Sequence, residues 1–289
     1  MTLFIFYPSK MNSLFTDPLI HIKDKDTVKR KISKFSLDKL QIVSDFDSTI
    51  TQDNGHTSWS LFSKSWLMPD EYIKERDDYF KYYYPFEIDA TLSFEKKDFL
   101  MREWWTKHLE LFIKYKLNIN IIDKIIQKDS FVDFRHWMKE FMDISATLNI
   151  PFIILSAWIT NTINEFLSYK EAQFDNIHIV SNELKFDNDW FCVGINKDII
   201  IHSENKDEHD MPAHIQEMVK WKTDIILLWD SLTDTKMIDE ELREWALKIW
   251  FLAEMKNHSK DKFMDSFDIV IASNYDSLRV PEMVLELIK

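Results

Sequence analysis

The sequence predicts an α/β fold: a doubly wound parallel-sheet, Rossmann-like core with an inserted helical cap domain. Three observations carry this. Short apolar runs rich in Ile, Val, Leu and Phe alternate with amphipathic stretches, the pattern of successive βαβ units. Between residue 54 and about residue 130 the strand signal disappears, so the alternation is interrupted once. Finally, the run Leu40 to Val43 ends in Ser44-Asp45-Phe46-Asp47-Ser48-Thr49. A strand there delivers two carboxylates to the sheet edge where open α/β folds bind ligands. The division that follows is a core of 1–53 and 131–289 with a cap of 54–130.

Taken in chain order, strands are expected at 40–44, 151–155, 177–180, 199–202, 224–228, 246–251 and 268–271, each a short apolar run. Helices are expected near 160–172, 210–220 and 232–244. In the insertion, Ser93 can cap a helix whose Met101, Trp105, Leu109 and Phe112 recur at spacings of three and four. Ile121, Ile122, Ile125 and Ile126 repeat that spacing in a shorter helix, and both stripes are read as packing faces.

The string Asp-x-Asp also occurs at Asp24-Lys25-Asp26 and Asp187-Asn188-Asp189, as an acidic chain would produce. Only Asp45 and Asp47 have an apolar strand before them and a hydroxyl pair after them. Two carboxylates one residue apart at such an edge suit a nucleophile and a proton donor. Further along, Phe152-Ile153-Ile154-Leu155 ends in Ser156, Ile199-Ile200-Ile201 precedes Lys206, and Ile225 to Trp229 precedes Asp230-Ser231-Leu232-Thr233-Asp234. Singly, each has a plainer reading: Ser156 as a turn hydroxyl, Lys206 as a solvated charge, Asp230 and Asp234 as helix caps.

Together and in this order, the four segments resemble the motifs of the haloacid-dehalogenase superfamily of phosphotransferases. From about residue 20 onward the resemblance narrows to the cytosolic pyrimidine-type (type III) 5′-nucleotidase family. The segments that carry it are Tyr82-Tyr83-Tyr84-Pro85-Phe86-Glu87-Ile88-Asp89, Thr91 to Lys97, Met101 to Lys107, Ser181 to Asp187 and Met264 to Val270. The resemblance implies a magnesium-dependent phosphoric monoester hydrolase. Its substrate would be a nucleoside 5′-monophosphate, pyrimidine or 7-methylguanosine, cleaved through an aspartyl-phosphate. It implies Asp45 as nucleophile and Asp47 as acid and base, with Thr49, Ser156 and Lys206 on the phosphate and Glu87 on the base. Asp45, Asp47 and Asp230 would hold Mg2+, and Asp234 would orient its surroundings. A phosphatase of the same superfamily acting on a phosphoserine-like substrate would share most of these residues. A catalytically silent nucleotide-binding relative is the reading from a different class.

Composition bounds the partners. With 36 Lys+Arg against 49 Asp+Glu the net charge is −13, which argues against a binder of polymeric nucleic acid. Cys192 is the single cysteine, so no intramolecular disulfide forms and a reducing, cytoplasmic location is expected. No run approaches the roughly 18 apolar residues of a membrane span. The expected state is a monomer or weak homodimer. The nine histidines are not spaced as a metal site, and aspartate oxygens favour a hard cation such as Mg2+.

Glycine is the anomaly: the chain has 2 Gly and 11 Trp, where average usage gives roughly 20 Gly. Trp137, Trp158, Trp190, Trp229 and Trp250 stand where the resembled family has glycine. UGA codons that specify glycine in the source, translated as tryptophan, would produce this pattern. Trp104 matches a family tryptophan, and Trp105 is left open. On this reading Trp158 and Trp229 obstruct the phosphate pocket, because an indole fills space that glycine leaves to the ligand.

Overall fold

The computed structural model describes residues 15–52, 58–89, 91–128, 132–196, 200–206, 211–230, 237–238, 240–251, 266–272, 284–285 and 288. The described chain begins with β1 (Ile20–Ile22) and α1 (Lys25–Lys34). Asp24 starts that helix by accepting the N–H groups of Asp26 and Thr27 on its carboxylate. After β2 (Leu40–Ser44) come four helices: α2 (Ser58–Lys64), α3 (Asp70–Glu87), α4 (Phe94–Lys114) and α5 (Ile119–Lys128). Ser93 caps α4 as expected, its hydroxyl accepting the Lys96 N–H at 3.4 Å, and Met101, Trp105 and Phe112 form its buried face. The chain then returns to the sheet through α6 (Met138–Thr147), β3 (Phe152–Ile159), α7 (Thr160–Tyr169) and β4 (Ile177–Asn182). A hairpin of β5 (Leu184–Phe186) and β6 (Cys192–Ile195) precedes α8 (Ala213–Val219), β7 (Asp224–Trp229), α9 (Glu240–Arg243), β8 (Leu247–Phe251) and β9 (Ile269–Ile271).

Among the described residues seven strands form one sheet in the order β1-β9-β8-β7-β2-β3-β4, parallel throughout except for the β1–β9 edge pair. Successive residues alternate between its two faces. Ile42, Ile154, Ile226 and Leu228 pack with Phe141 of α6 and Phe166 of α7, whereas Val43, Ile153, Ile225 and Leu227 pack with Ile215 of α8. Both faces are covered, which is why these strands read as unbroken apolar runs. The first face is continuous with the insertion, since Phe62, Tyr72, Trp105 and Phe112 belong to the same apolar cluster.

Three expectations need correction. Residues 200–202 are not a strand, and 197–199 lie outside the described residues. Side chains do there what a neighbouring strand would have done: Asn182 Oδ1 accepts the Ile201 N–H at 2.9 Å and its Nδ2 donates to the Ile201 carbonyl at 2.7 Å, while Asn205 Oδ1 accepts the His202 N–H at 2.6 Å. The β5–β6 hairpin and β1 are additional elements, too short to give a clear period. Of the helix expected at 232–244, only Glu240–Arg243 is described as helix (α9); 237–238 and 244 are not helical, and 232–236 and 239 lie outside the described residues.

The backbone carries the glycine anomaly in its dihedrals. Trp66 (φ 59°), Trp137 (φ 71°) and Trp190 (φ 65°) lie in the left-handed region, where a side chain crowds the following carbonyl at a cost of about 1–2 kcal/mol. Trp66 is 81% and Trp190 57% exposed, so little packing offsets that cost. Trp66 lies two residues beyond the end of α2, near where glycine commonly terminates helices.

Candidate active site

The strand order places the site. From β2 the chain adds β3 and β4 on one side and later β7, β8 and β9 on the other, so the direction of winding reverses at β2. In open α/β sheets the crevice at such a reversal, beyond the carboxyl ends of the strands, binds the ligand. Asp45 is the first residue beyond β2, and its N–H still bonds the Leu228 carbonyl at 3.0 Å. Ser44 pairs with Ile154 on β3 and Leu228 on β7, so Ser156 and Asp230 stand two residues further along the two flanking strands. A register shift between Leu155 and Ile159 bends β3 there, and Ser156 Oγ accepts the Trp158 N–H at 3.2 Å.

The loop after Asp45 is a tight turn in which the Phe46 carbonyl accepts the N–H groups of Ile50 (2.9 Å) and Thr51 (3.1 Å). Ser48 lies within it at φ 56°, and its N–H bonds Thr51 Oγ1 at 3.0 Å. Arg135 locks this turn from behind. It is 2% exposed, its Nε donates to the Thr49 carbonyl at 3.2 Å, and its Nη2 donates to the Ser48 carbonyl. Its own N–H bonds the Ile50 carbonyl at 2.9 Å, and its guanidinium lies over the Phe251 ring. Sequence reading missed Arg135, whose one signal was a cation set among Val132, Phe134, Trp137 and Met138.

Lys206 reaches this edge from the loop after Ile201, with its Nζ 2.7 Å from Asp45 Oδ1. Both side chains are buried, so the plain reading of Lys206 as a solvated charge does not hold. Asp47 and Asp230 are half-buried. Thr49 is fully buried, and its hydroxyl has no hydrogen-bond partner among the described residues. Asp234 lies outside the described residues.

Glu87 ends α3 beside Ser203, Glu204, Lys206 and Lys97. Burial pushes its carboxyl above the usual range and Glu204 adds to this, with Ser203, Lys206 and Lys97 opposing. The structure thus brings Asp45, Lys206 and Glu87 to one junction between insertion and sheet edge.

The expectation that Trp229 blocks the pocket is corrected. Its side chain belongs to the sheet face packed by α8, edge-on to Phe267 with ring centroids 5.1 Å apart, because strand alternation turns residue 229 inward. Its indole nitrogen is buried with no hydrogen-bond partner among the described residues. Trp158 is buried beside Phe62 at 5.7 Å. Trp105, left open above, uses its indole: Nε1 donates to the Ala157 carbonyl at 3.1 Å.

Among the described residues, no three His, Cys, Asp or Glu side chains converge as a metal cage. The candidate oxygen donors are instead two carboxylates, Asp45 and Asp230, and the Asp47 carbonyl, with the partnerless Thr49 hydroxyl in the same loop. That donor chemistry fits Mg2+, which retains several waters and uses few protein ligands. Among the described residues no helix is long and apolar enough to cross a membrane.

A carboxylate-bearing loop at the reversal of a parallel sheet, faced by a buried lysine and overhung by helices, has the haloacid-dehalogenase-like fold, and solved structures share that fold. Phosphoserine phosphatase shares the fold with a TM-score of 0.52 at 16% identity, covering 87% of this chain and 99% of that one. Cytosolic 5′-nucleotidase IIIB bound to cytidine superposes with a TM-score of 0.85 at 29% identity, covering 96% of this chain and 97% of that one. The sequence profile of the pyrimidine 5′-nucleotidase (UMPH-1) family matches residues 44–289, and the chain belongs to that family. The 7-methylguanosine phosphate-specific 5′-nucleotidase of Gallus gallus is 32% identical over 267 residues, covering 90% of this chain and 91% of that protein. The Homo sapiens protein of the same name is 33% identical over 242 residues, covering 81% and 80%. The chain is therefore a 5′-nucleotidase, a phosphoric monoester hydrolase.

Proposed function

We propose that the protein hydrolyses pyrimidine or 7-methylguanosine 5′-monophosphates in the cytoplasm, with Mg2+, through an aspartyl-phosphate on Asp45. The observation that carries this is the buried contact of Lys206 with Asp45 at the reversal of the sheet. Residues 54–130 act as the cap over that edge, and Glu87 reads the base. The names of the Gallus gallus and Homo sapiens relatives support a 7-methylguanosine substrate, and the cytidine-bound neighbour supports a pyrimidine.

In the first step an Asp45 carboxylate oxygen bonds to phosphorus as the bond to the 5′-oxygen breaks, and Asp47 gives that oxygen its proton. In the second, Asp47 takes a proton from water as the water oxygen bonds to phosphorus and the bond to Asp45 breaks, releasing phosphate. Lys206 and the hydroxyls of Ser156 and Thr49 face the phosphoryl oxygens, and Arg135 keeps the Asp45–Thr49 turn in place. Mg2+, held by the carboxylates of Asp45 and Asp230 and the Asp47 carbonyl, supplies positive charge to the phosphoryl group when bound. Asp234 orients these ligands.

Phosphate release from 7-methylguanosine monophosphate, CMP, UMP and phosphoserine, each with and without Mg2+, tests the reading. Magnesium-dependent release from one or more of the nucleotides and none from phosphoserine is expected. Release from phosphoserine alone overturns it.

A further inference from the structure

The first turns of α4 send two side chains across to the loop that presents Lys206. Lys97 Nζ donates to the backbone carbonyl of Glu87 at 2.9 Å and lies 3.4 Å from Glu204 Oε1. Its neighbour Asp98 faces His202 Nε2 at 3.1 Å. His202 Nδ1 accepts the Glu204 N–H at 3.2 Å, so the ring proton sits on Nε2 and is donated to Asp98. The other end of the same loop is tied to the sheet by Asn182, which brackets Ile201, and Asn205 Nδ2 closes the loop on itself by donating to the Ile200 carbonyl at 2.8 Å. The segment 200–206 is therefore braced between β4 and α4, with Lys206 at its end.

Lys97 differs from an ordinary surface lysine. Its side chain is 11% and that of Glu204 9% exposed, so breaking the pair leaves a carboxylate buried without its cation. One ammonium thereby joins two pieces of the proposed site: the end of α3 that carries Glu87, and the loop that carries Lys206.

We propose that Lys97 is a positioning and specificity-determining residue. It couples engagement of the nucleoside by the cap to the placement of the Lys206 ammonium beside the phosphoryl group. This rests on the nucleotidase reading above. A substrate with a nucleoside uses the coupling, whereas a small ester such as p-nitrophenyl phosphate reaches Asp45 and Lys206 without it.

Steady-state kinetics of the full chain and its Lys97→Met variant on both substrates test this. The expected result is a kcat for the preferred nucleotide lowered roughly 10- to 100-fold, the scale of a misplaced catalytic group, with kcat for p-nitrophenyl phosphate changed less than about 3-fold. If Lys97→Met does not fold, the pair Lys97→Met with Glu204→Gln, which leaves no uncompensated charge, should show the same split. Equal losses on both substrates would mean a merely structural role and overturn the proposal, as would an unchanged nucleotide preference. A wild-type chain that hydrolyses p-nitrophenyl phosphate but no nucleotide identifies failure of the nucleotidase reading itself, and the coupling falls with it.

Discussion

Lys206 Nζ lies 2.7 Å from Asp45 Oδ1, and the two side chains are 8% and 6% exposed. An ammonium already desolvated beside the proposed nucleophile can meet incoming phosphoryl oxygens without reorganising solvent. Lys206→Met should therefore lower kcat by about 10²–10³-fold, the cost of removing one preorganised charge. Steady-state assays on the preferred nucleotide measure this. A rise in KM at unchanged kcat would assign Lys206 to ground-state binding alone.

Asp45→Asn keeps the shape of the loop and removes the oxygen proposed as nucleophile. Phosphate release should fall to background while calorimetry still detects nucleotide binding. Turnover near the starting rate would take Asp45 out of the covalent step.

Arg135 donates to the carbonyls of both Ser48 and Thr49 from a buried position. In Arg135→Met those acceptors lose charged donors worth about 1.5–3 kcal/mol each. Urea unfolding should show a loss on the order of 2–4 kcal/mol, and residual activity should drop because the turn carrying Asp45 and Asp47 relaxes. A midpoint shift of under ~0.5 kcal/mol equivalent would mean that the loop holds itself.

Exposed Trp66 and Trp190 occupy left-handed backbone that suits glycine. Trp66→Gly and Trp190→Gly should each stabilise the protein by about 1 kcal/mol, in contrast to the usual loss on introducing glycine. The gene provides an independent check: TGA codons at 66, 137 and 190 are expected, and TGG at all three would end the misreading idea.

Burial pushes His202 down to about 4 and His108 down to about 3, from 6.5. In the unfolded chain both take up a proton as pH falls through 6.5, and in the folded protein neither does until pH 4 or below. The unfolded state then binds more protons, so this contribution is fully present above pH 6.5 and is lost as pH falls towards 4. Each tenfold difference in proton affinity is worth about 1.4 kcal/mol. Thermal midpoints should fall steeply between pH 6.5 and 4, and His108→Leu should flatten that slope. A flat profile in the parent protein would contradict burial of these rings.

The strands most legible in the sequence were those buried on both faces, because Leu40–Ser44 and Asp224–Trp229 need apolar residues at nearly every position. Ile199 to His202 carries the same local signal, yet residues 200–202 find side-chain partners in Asn182 and Asn205 in place of a neighbouring strand. Apolar runs report burial, and only the hydrogen-bond partners decide between a strand and a braced loop. Trp229 shows a related limit. Its place beside Asp230 suggested an obstructed pocket, but alternation along β7 turns the indole towards Phe267.

By itself the sequence determined where most strands of the sheet lie along the chain, the helical stretch between β2 and β3, and which carboxylates and hydroxyl stand at or beside strand ends. Those features depend on residue type and spacing along the chain. Tertiary structure alone decided that Lys206 meets Asp45 across a sequence separation of 161, that Arg135 grips the Ser48–Thr49 turn, and that Lys97 binds both the Glu87 carbonyl and Glu204. A charged side chain has the same local pattern whether it is solvated or buried against a distant partner. Its surroundings are set only when the sheet and the insertion close around it.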